Sequence, residues 1–458
     1  MLSVLLISAS MSFGAEPATA TVWPGFRGDG TSRSRAEKLP VEWSPEKNIA
    51  WKTGTKGYGQ SSPVIWNDRA FVTSVEGEQK ETYWTTCLRL KDGKELWSNS
   101  IAASLKGKNN PMMSRAAGTP VVDATGVYCL FDSGDVAAYD LEGNPLWNRA
   151  LGKELGELKN NHGLGSSPAQ TEKHVIVLLD HQGPGKLFAL NKTDGKDAWT
   201  AERPARSSWT SPIIVAVGQS RQVVVSSGGA VTGYDATTGK QLWEKTGFVG
   251  NSIPSATHFG DRVVIAAGEN RMKPDAEGTS KSNCCLQLGS GDPETVWTGK
   301  KLATGTASPV ISDGFAYFVD KAGILICLDA KTGVERYRER LDQPQWATPI
   351  AAGDRLYCFG KDGTTTVVKA GGDFEKLASN KFWSDDAAAK RKEEAKKNAK
   401  LPEAPGGGRG PGNSPPTSKD ERESALYSAI GDIVYGAAVV DGCFVIRTGT
   451  EVICIRKK

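Results

Sequence analysis

Cysteine and histidine are the residues of this chain best suited to hold a metal or attack a substrate, and there are eight of the first and four of the second. The histidines, His162, His174, His181 and His258, lack the i, i+4 spacing of a helical zinc site, and no C-x-x-C occurs. Asp180-His181 falls near a strand end without a second carboxylate beside it. No G-x-S-x-G, phosphate-binding loop or dinucleotide fingerprint stands in a strand-to-helix context. Arg27-Gly28-Asp29 spells an adhesion tripeptide, but a glycine between two charges in an N-terminal arm reads first as a turn. A more coherent set is Tyr58, Gln60, Arg115, His162, Trp209, Asn251, Gln345, Trp346 and Tyr435. Aromatics and arginine are the types enriched at binding hot spots. What they could do together depends on the elements that carry them.

Those elements repeat. A small residue and proline lead an apolar stretch in "SSPVIW" at Ser61, "AGTPVV" at Ala117, "GSSPAQ" at Gly165, "WTSPII" at Trp209, "TASPVI" at Thr306 and "WATPIA" at Trp346. "SIPSAT" at Ser252 is a looser copy, and "YGAAVV" at Tyr435 lacks the proline. A second signature follows: an apolar pair, a D/T-G turn, then an aromatic, as in "CLRLKDGKELW" from Cys87 and "GYDATTGKQLW" from Gly233. The closing aromatics are Trp97, Trp147, Trp199, Trp243, Trp297 and Tyr337, spaced by 50, 52, 44, 54 and 40 residues. Periods of this length mark repeat architectures. Within one unit, strands are predicted from Val310, Phe315, Ile324 and Val334, separated by Asp-Gly, Ala-Gly and Thr-Gly turns of the hairpin type.

The sequence therefore predicts an all-β, eight-bladed β-propeller of four-stranded antiparallel blades. The last unit ends without a fourth strand. "NIAWKTG", whose Trp51 lies 46 residues before Trp97, is predicted to supply it and seal the ring. The nine binding candidates then sit on the loops that enter the innermost strands, around one mouth of the central channel. Glycine (52 of 458 residues) and tryptophan (13) are abundant because the turns and the closing positions use them. The cysteines follow the same logic. Cys87, Cys285, Cys327 and Cys454 take the third-strand position that Ala138, Ala189 and Gly233 take elsewhere, so they are predicted to be small buried thiols rather than four disulfides.

The motif A-L-D-x-x-T-G-x-x-x-W, matched closely by "CLDAKTG" and "YDATTGKQLW", resembles the repeat of PQQ-like propellers over roughly residues 47 to 458. "WPGFRGDG" and "LPVEWSPEKNIAWKT" resemble leader segments of bacterial members. That family includes BamB-type outer-membrane assembly factors and quinoprotein dehydrogenases. The dehydrogenase resemblance would imply pyrroloquinoline quinone (PQQ) with calcium and a vicinal cysteine ring against the quinone. Cys284-Cys285 matches that pair in sequence, but neighbouring residues of a strand point to opposite faces. Asn251 is the one amide placed to serve as a calcium ligand, and the carboxylates of the family's set have no match.

Residues 1–15 read as a signal peptide, with an apolar run from Leu2 to Phe13 followed by small residues, although no basic residue precedes it. Residues 16–46 form an N-terminal arm, and residues 47–458 the propeller. Residues 384–424 interrupt it with a low-complexity insertion, expected to be disordered, that begins with a basic piece fit for a short helix. Lys390 to Lys400 holds six basic and two acidic residues, a surplus equal to the net charge of +4. Charge thus gives no ground for a nucleic-acid partner. No run is long and apolar enough to span a bilayer. The expected function is an exported, periplasmic or extracytoplasmic scaffold, non-catalytic and monomeric, that binds an envelope protein or a small ligand without a cofactor. The alternative is a PQQ- and calcium-dependent dehydrogenase, or another activity at the mouth.

Overall fold

The computed structural model describes residues 21–105, 113–156, 158–160, 162–268, 276–398 and 434–457. Eight antiparallel sheets follow one another along the chain and form the blades of a propeller: blade 1 spans 64–102, blade 2 121–150, blade 3 169–203, blade 4 213–246, blade 5 257–298, blade 6 310–340, blade 7 350–381 and blade 8 436–456. Blade 8 takes its outer strand, Ile49–Gly54, from the other end of the chain, with Trp51 opposite Cys454. The predicted closure is therefore present. The predicted signal peptide lies outside the described residues. Of the insertion, Asp385–Asn398 forms a helix, and residues 399–424 also lie outside them.

Burial grades outward across each blade. The second strand Cys443–Arg447 is buried throughout, whereas the fourth strand Glu335–Arg340 is almost wholly exposed and charged. The apolar clusters lie between blades: Val64, Phe71 and Tyr83 of blade 1 pack with Val122, Val127 and Cys129 of blade 2. No single centre holds the molecule, so each blade depends on both neighbours.

Two belts couple the blades. The first explains the closing tryptophans. Trp51, Trp97, Trp147, Trp199 and Trp297 each donate Nε1–H to a carbonyl in the next blade's turn, at Leu90, Leu141, Lys192, Ala236 and Ala330, over 2.7 to 3.2 Å. The small third-strand residue exists to admit this ring: Cys87 faces Trp97, Ala138 faces Trp147 and Gly233 faces Trp243. Trp243 is the exception, donating to Gln222 in its own blade at 2.8 Å, because the neighbouring turn in blade 5 carries two extra residues.

The second belt explains the small-Pro signature. The backbone N–H of Ser62 donates to the Thr119 hydroxyl, and the pattern continues from Thr119 to Ser167, Ser211, Ser255, Ser308 and Thr348, each step 2.8 to 3.0 Å. Every blade from 1 to 7 contributes one hydroxyl residue. In blade 5 the belt uses Ser255, not the Ser252 that "SIPSAT" suggested. Ser252 is held in the preceding loop, where its carbonyl accepts from the Trp209 N–H, and Ala256 stands where other blades have proline. Blade 8 has Gly436 at this place, since a Cβ there would overlap the Ser62 hydroxyl.

The arm crosses the end of the channel opposite the predicted mouth. Val22–Trp23 pairs with Ile65 and Trp66 of blade 1, and Arg27 Nη2 donates to the Ala256 carbonyl of blade 5 at 2.6 Å. Blades 1 and 5 face each other across an eight-membered ring. Trp23 and Arg27 are four residues apart, a reach of about 14 Å fully extended. The arm must therefore pass over the axis. Arg33–Ser34 then adds a parallel edge to blade 7.

Candidate functional site

The loops that enter the inner strands ring the other end of the axis. Five of the nine candidates gather where blades 7, 8 and 1 meet. The Tyr58 and Tyr435 hydroxyls are hydrogen-bonded, with their rings edge to face at 6.2 Å. Trp346 meets Tyr435 at 90° and 6.4 Å, and the Lys361 ammonium stands 5.3 Å from the Trp346 ring. Gln345 is buried beside it, its Nε2 donating to the Gln343 carbonyl while its Oε1 has no partner. Gln60 accepts the Ser114 N–H at 2.8 Å and hydrogen-bonds Tyr435.

Beneath this cluster lies Arg447, wholly buried, with Nε on the Gly59 carbonyl at 3.4 Å, Nη2 on that of Gly449 at 3.2 Å and Nη1 unpartnered. Burial lowers its pKa to about 10 and pushes the Tyr435 phenol well above its ordinary value. Sequence reasoning missed Arg447. The signal was available: at the equivalent second-strand place blades 2, 6 and 7 carry Leu130, Val319 and Phe359 and blades 1 and 4 the uncharged Thr73 and Ser226, so a charge there breaks the pattern.

Two further candidates form a second group. The His162 ring lies 5.7 Å from that of Trp209, whose Nε1–H donates to the Gly163 carbonyl at 3.0 Å. The remaining two are engaged within the protein. Arg115 spends Nε on Asp132, Nη1 on the Lys80 carbonyl and Nη2 on that of Leu105, over 2.7 to 3.1 Å. Burial raises the Asp132 pKa, against the pull of Arg115. Asn251 is fully buried, donating to Ser226 Oγ and the Ala230 carbonyl and accepting the Gly229 N–H. Asp180 likewise forms a buried double hydrogen bond with Arg203, at 2.7 and 2.9 Å, and also accepts from Ser227. Arg27 of the adhesion tripeptide is buried and points inward, so the tripeptide is not displayed.

All eight cysteines are buried free thiols. The vicinal pair does not form a shelf for a planar cofactor: Cys284 packs between blades 4 and 5 with Ile213 and Val224, while Cys285 packs between blades 5 and 6 with Ile311 and Ala316. Burial pushes both thiols up to about 12. With Asn251 wholly buried, its amide oxygen on the Gly229 N–H and no carboxylate set beside it among the described residues, the residues present do not fit PQQ with calcium. No group of three or more potential metal ligands occurs among the described residues.

A family model described as outer membrane protein assembly factor BamB matches residues 22–160, 132–279 and 286–400, most of the chain. The chain belongs to this family of PQQ-like propellers. Curated BamB-family relatives include the outer membrane protein assembly factor of Moranella endobia, 22% identical over 78% of this chain and 85% of that protein. That of Nitrosomonas eutropha is 29% identical over 40% of this chain, a match that spans 38% of its length. Among solved structures, BamB from Moraxella catarrhalis superposes with a TM-score of 0.54 at 11% identity, covering 88% of this chain and 98% of that one. Quinohemoprotein alcohol dehydrogenase from Comamonas testosteroni superposes at 0.57 and 11%, covering 95% and 80%. Both structures share the fold. Among the described residues, no helix is long and apolar enough to cross a membrane.

Proposed function

We propose that this protein is an exported, non-catalytic scaffold of the cell envelope that acts as a monomer in the assembly of outer-membrane proteins. The observation that carries the reading is the family match over most of the chain. The mouth supports it. Trp346, Tyr435 and Tyr58 form an edge-to-face aromatic cluster with the Lys361 cation beside it, while Arg115, Asn251 and Asp180 are committed to internal bonds. Aromatic anchors over a rigid ring suit a protein partner better than bond-making chemistry. The divided cysteine pair and the buried, internally bonded Asn251 speak against a quinone and for a cofactor-free role.

Expression with an exporting leader in a bacterium lacking its own BamB tests the proposal. Folded, heat-modifiable barrel protein in the outer membrane should be restored by the natural chain. It should fall with Trp209→Ala and with Trp346→Ala, each expected to weaken partner binding by about tenfold or more. Failure of the natural chain to restore assembly, with the protein present and folded in the periplasm, would overturn the reading. Reduction of a dye by alcohols in the presence of added PQQ and calcium would instead favour the dehydrogenase.

A further inference from the structure

The floor of the channel holds a cavity of about 350 Å³ between the arm and blades 2 to 5. That is the lower end of the roughly 300–1,000 Å³ typical of ligand pockets. Val121, Ile213 and Ile214 give it apolar walls, and Arg27, Arg221 and His258 line it as well. The arm's glycines, Gly25 to Gly30, form the opposite side.

Arg27 is the anomaly. Its side chain is buried, yet it makes one hydrogen bond, Nη2 to the Ala256 carbonyl, and its Nε and Nη1 have no partner. The nearest carboxylate, Asp29, turns to the backbone N–H and hydroxyl of Thr31 instead. A buried cation with two unmet donors costs free energy that a fold does not ordinarily leave uncompensated. Burial already lowers its pKa to about 9, so the guanidinium is still charged at neutral pH. Arg221 adds a second guanidinium, exposed at the rim and without a hydrogen-bond or ion-pair partner among the described residues.

We propose that this cavity binds a small carboxylate bearing a short apolar tail. The carboxylate accepts from Arg27 and Arg221, charge-assisted bonds of the stronger kind, and the tail lies along Val121, Ile213 and Ile214. The two unpartnered nitrogens are closed to solvent, so binding as proposed requires the Arg27 side chain to turn toward the cavity. The site is at the opposite end of the axis from the mouth, and the proposal stands or falls separately from the assembly role.

Calorimetry on the full chain with hexanoate, hexanamide and inorganic phosphate tests it. Hexanoate is expected to bind, and hexanamide, equal in tail but uncharged, to bind at least about tenfold more weakly. Phosphate, lacking the tail, should also be weaker. Arg221→Ala should weaken hexanoate several-fold, and Ala216→Trp, which fills the cavity from an exposed position, should remove binding while leaving the melting temperature unchanged. No heat with hexanoate, equal binding of acid and amide, or unaltered binding in Ala216→Trp would each overturn the site. Phosphate binding as tightly as hexanoate would overturn the apolar tail.

Discussion

Trp199 shows how one residue joins two blades. Its ring is buried against Gly239 in the turn of the next blade, and its Nε1–H satisfies the Ala236 carbonyl at 3.2 Å. Trp199→Ala should cost about 3–5 kcal/mol through lost burial and the void left behind. Trp199→Phe keeps most of the ring and forfeits the hydrogen bond, costing about 1 kcal/mol for that bond beyond any packing change. Urea unfolding of the two variants measures both losses, and a Trp199→Phe variant as stable as the natural chain would show that the bond contributes nothing. The position of this tryptophan was plain in the sequence, because it recurs at a loose period. Its partner was not, because the accepting carbonyl belongs to the backbone and leaves no mark on residue type. Arg447 was overlooked for a different reason: attention to what each repeat shares hides the one blade that departs.

At the level of strands, the sequence announces eight units and their turns, and even the donation of Ile49–Gly54 to the last blade. The arm was legible only as a non-repeating stretch. Its route is set by contacts with blades 1, 5 and 7, which no periodicity encodes. The seams on either side of blade 8 also differ from the other junctions. The hydroxyl belt stops there, and Gly436 is required because Ser62 occupies the space of a side chain. Gly436→Ala should therefore destabilise the protein by about 1–3 kcal/mol, as overpacking does. Adding Ser62→Gly should recover part of that loss. A double variant no better than the sum of its parts, judged by denaturant midpoint, would show that the two positions are not coupled.

Across the whole molecule, burial holds the pKa values of His174, His181 and His258 below the ordinary histidine value of 6.5. As pH falls from 6.5 toward those lower native values, the unfolded chain binds protons that the folded chain does not, so stability must decline. Carboxylates held low, such as Asp235, Asp329 and Asp342, lose their contribution only below the ordinary value of 3.8, outside this window. Asp132, raised by burial, acts in the opposite sense. The urea midpoint should therefore drop between pH 7.0 and 5.5, and less so in a His174→Gln, His258→Gln variant. A flat or rising midpoint would contradict the prediction.

The arm's passage over the axis has one more consequence. With Trp23 on blade 1 and Arg27 reaching blade 5, the ring is stoppered at one end. If the aromatic mouth takes a polypeptide, as proposed, the segment could not be threaded through. It must leave by the opening it came in, so the ring works as a socket rather than a conduit. On the proposed role, its hold on a partner segment would be set by the depth of insertion and the rate of withdrawal at that single doorway.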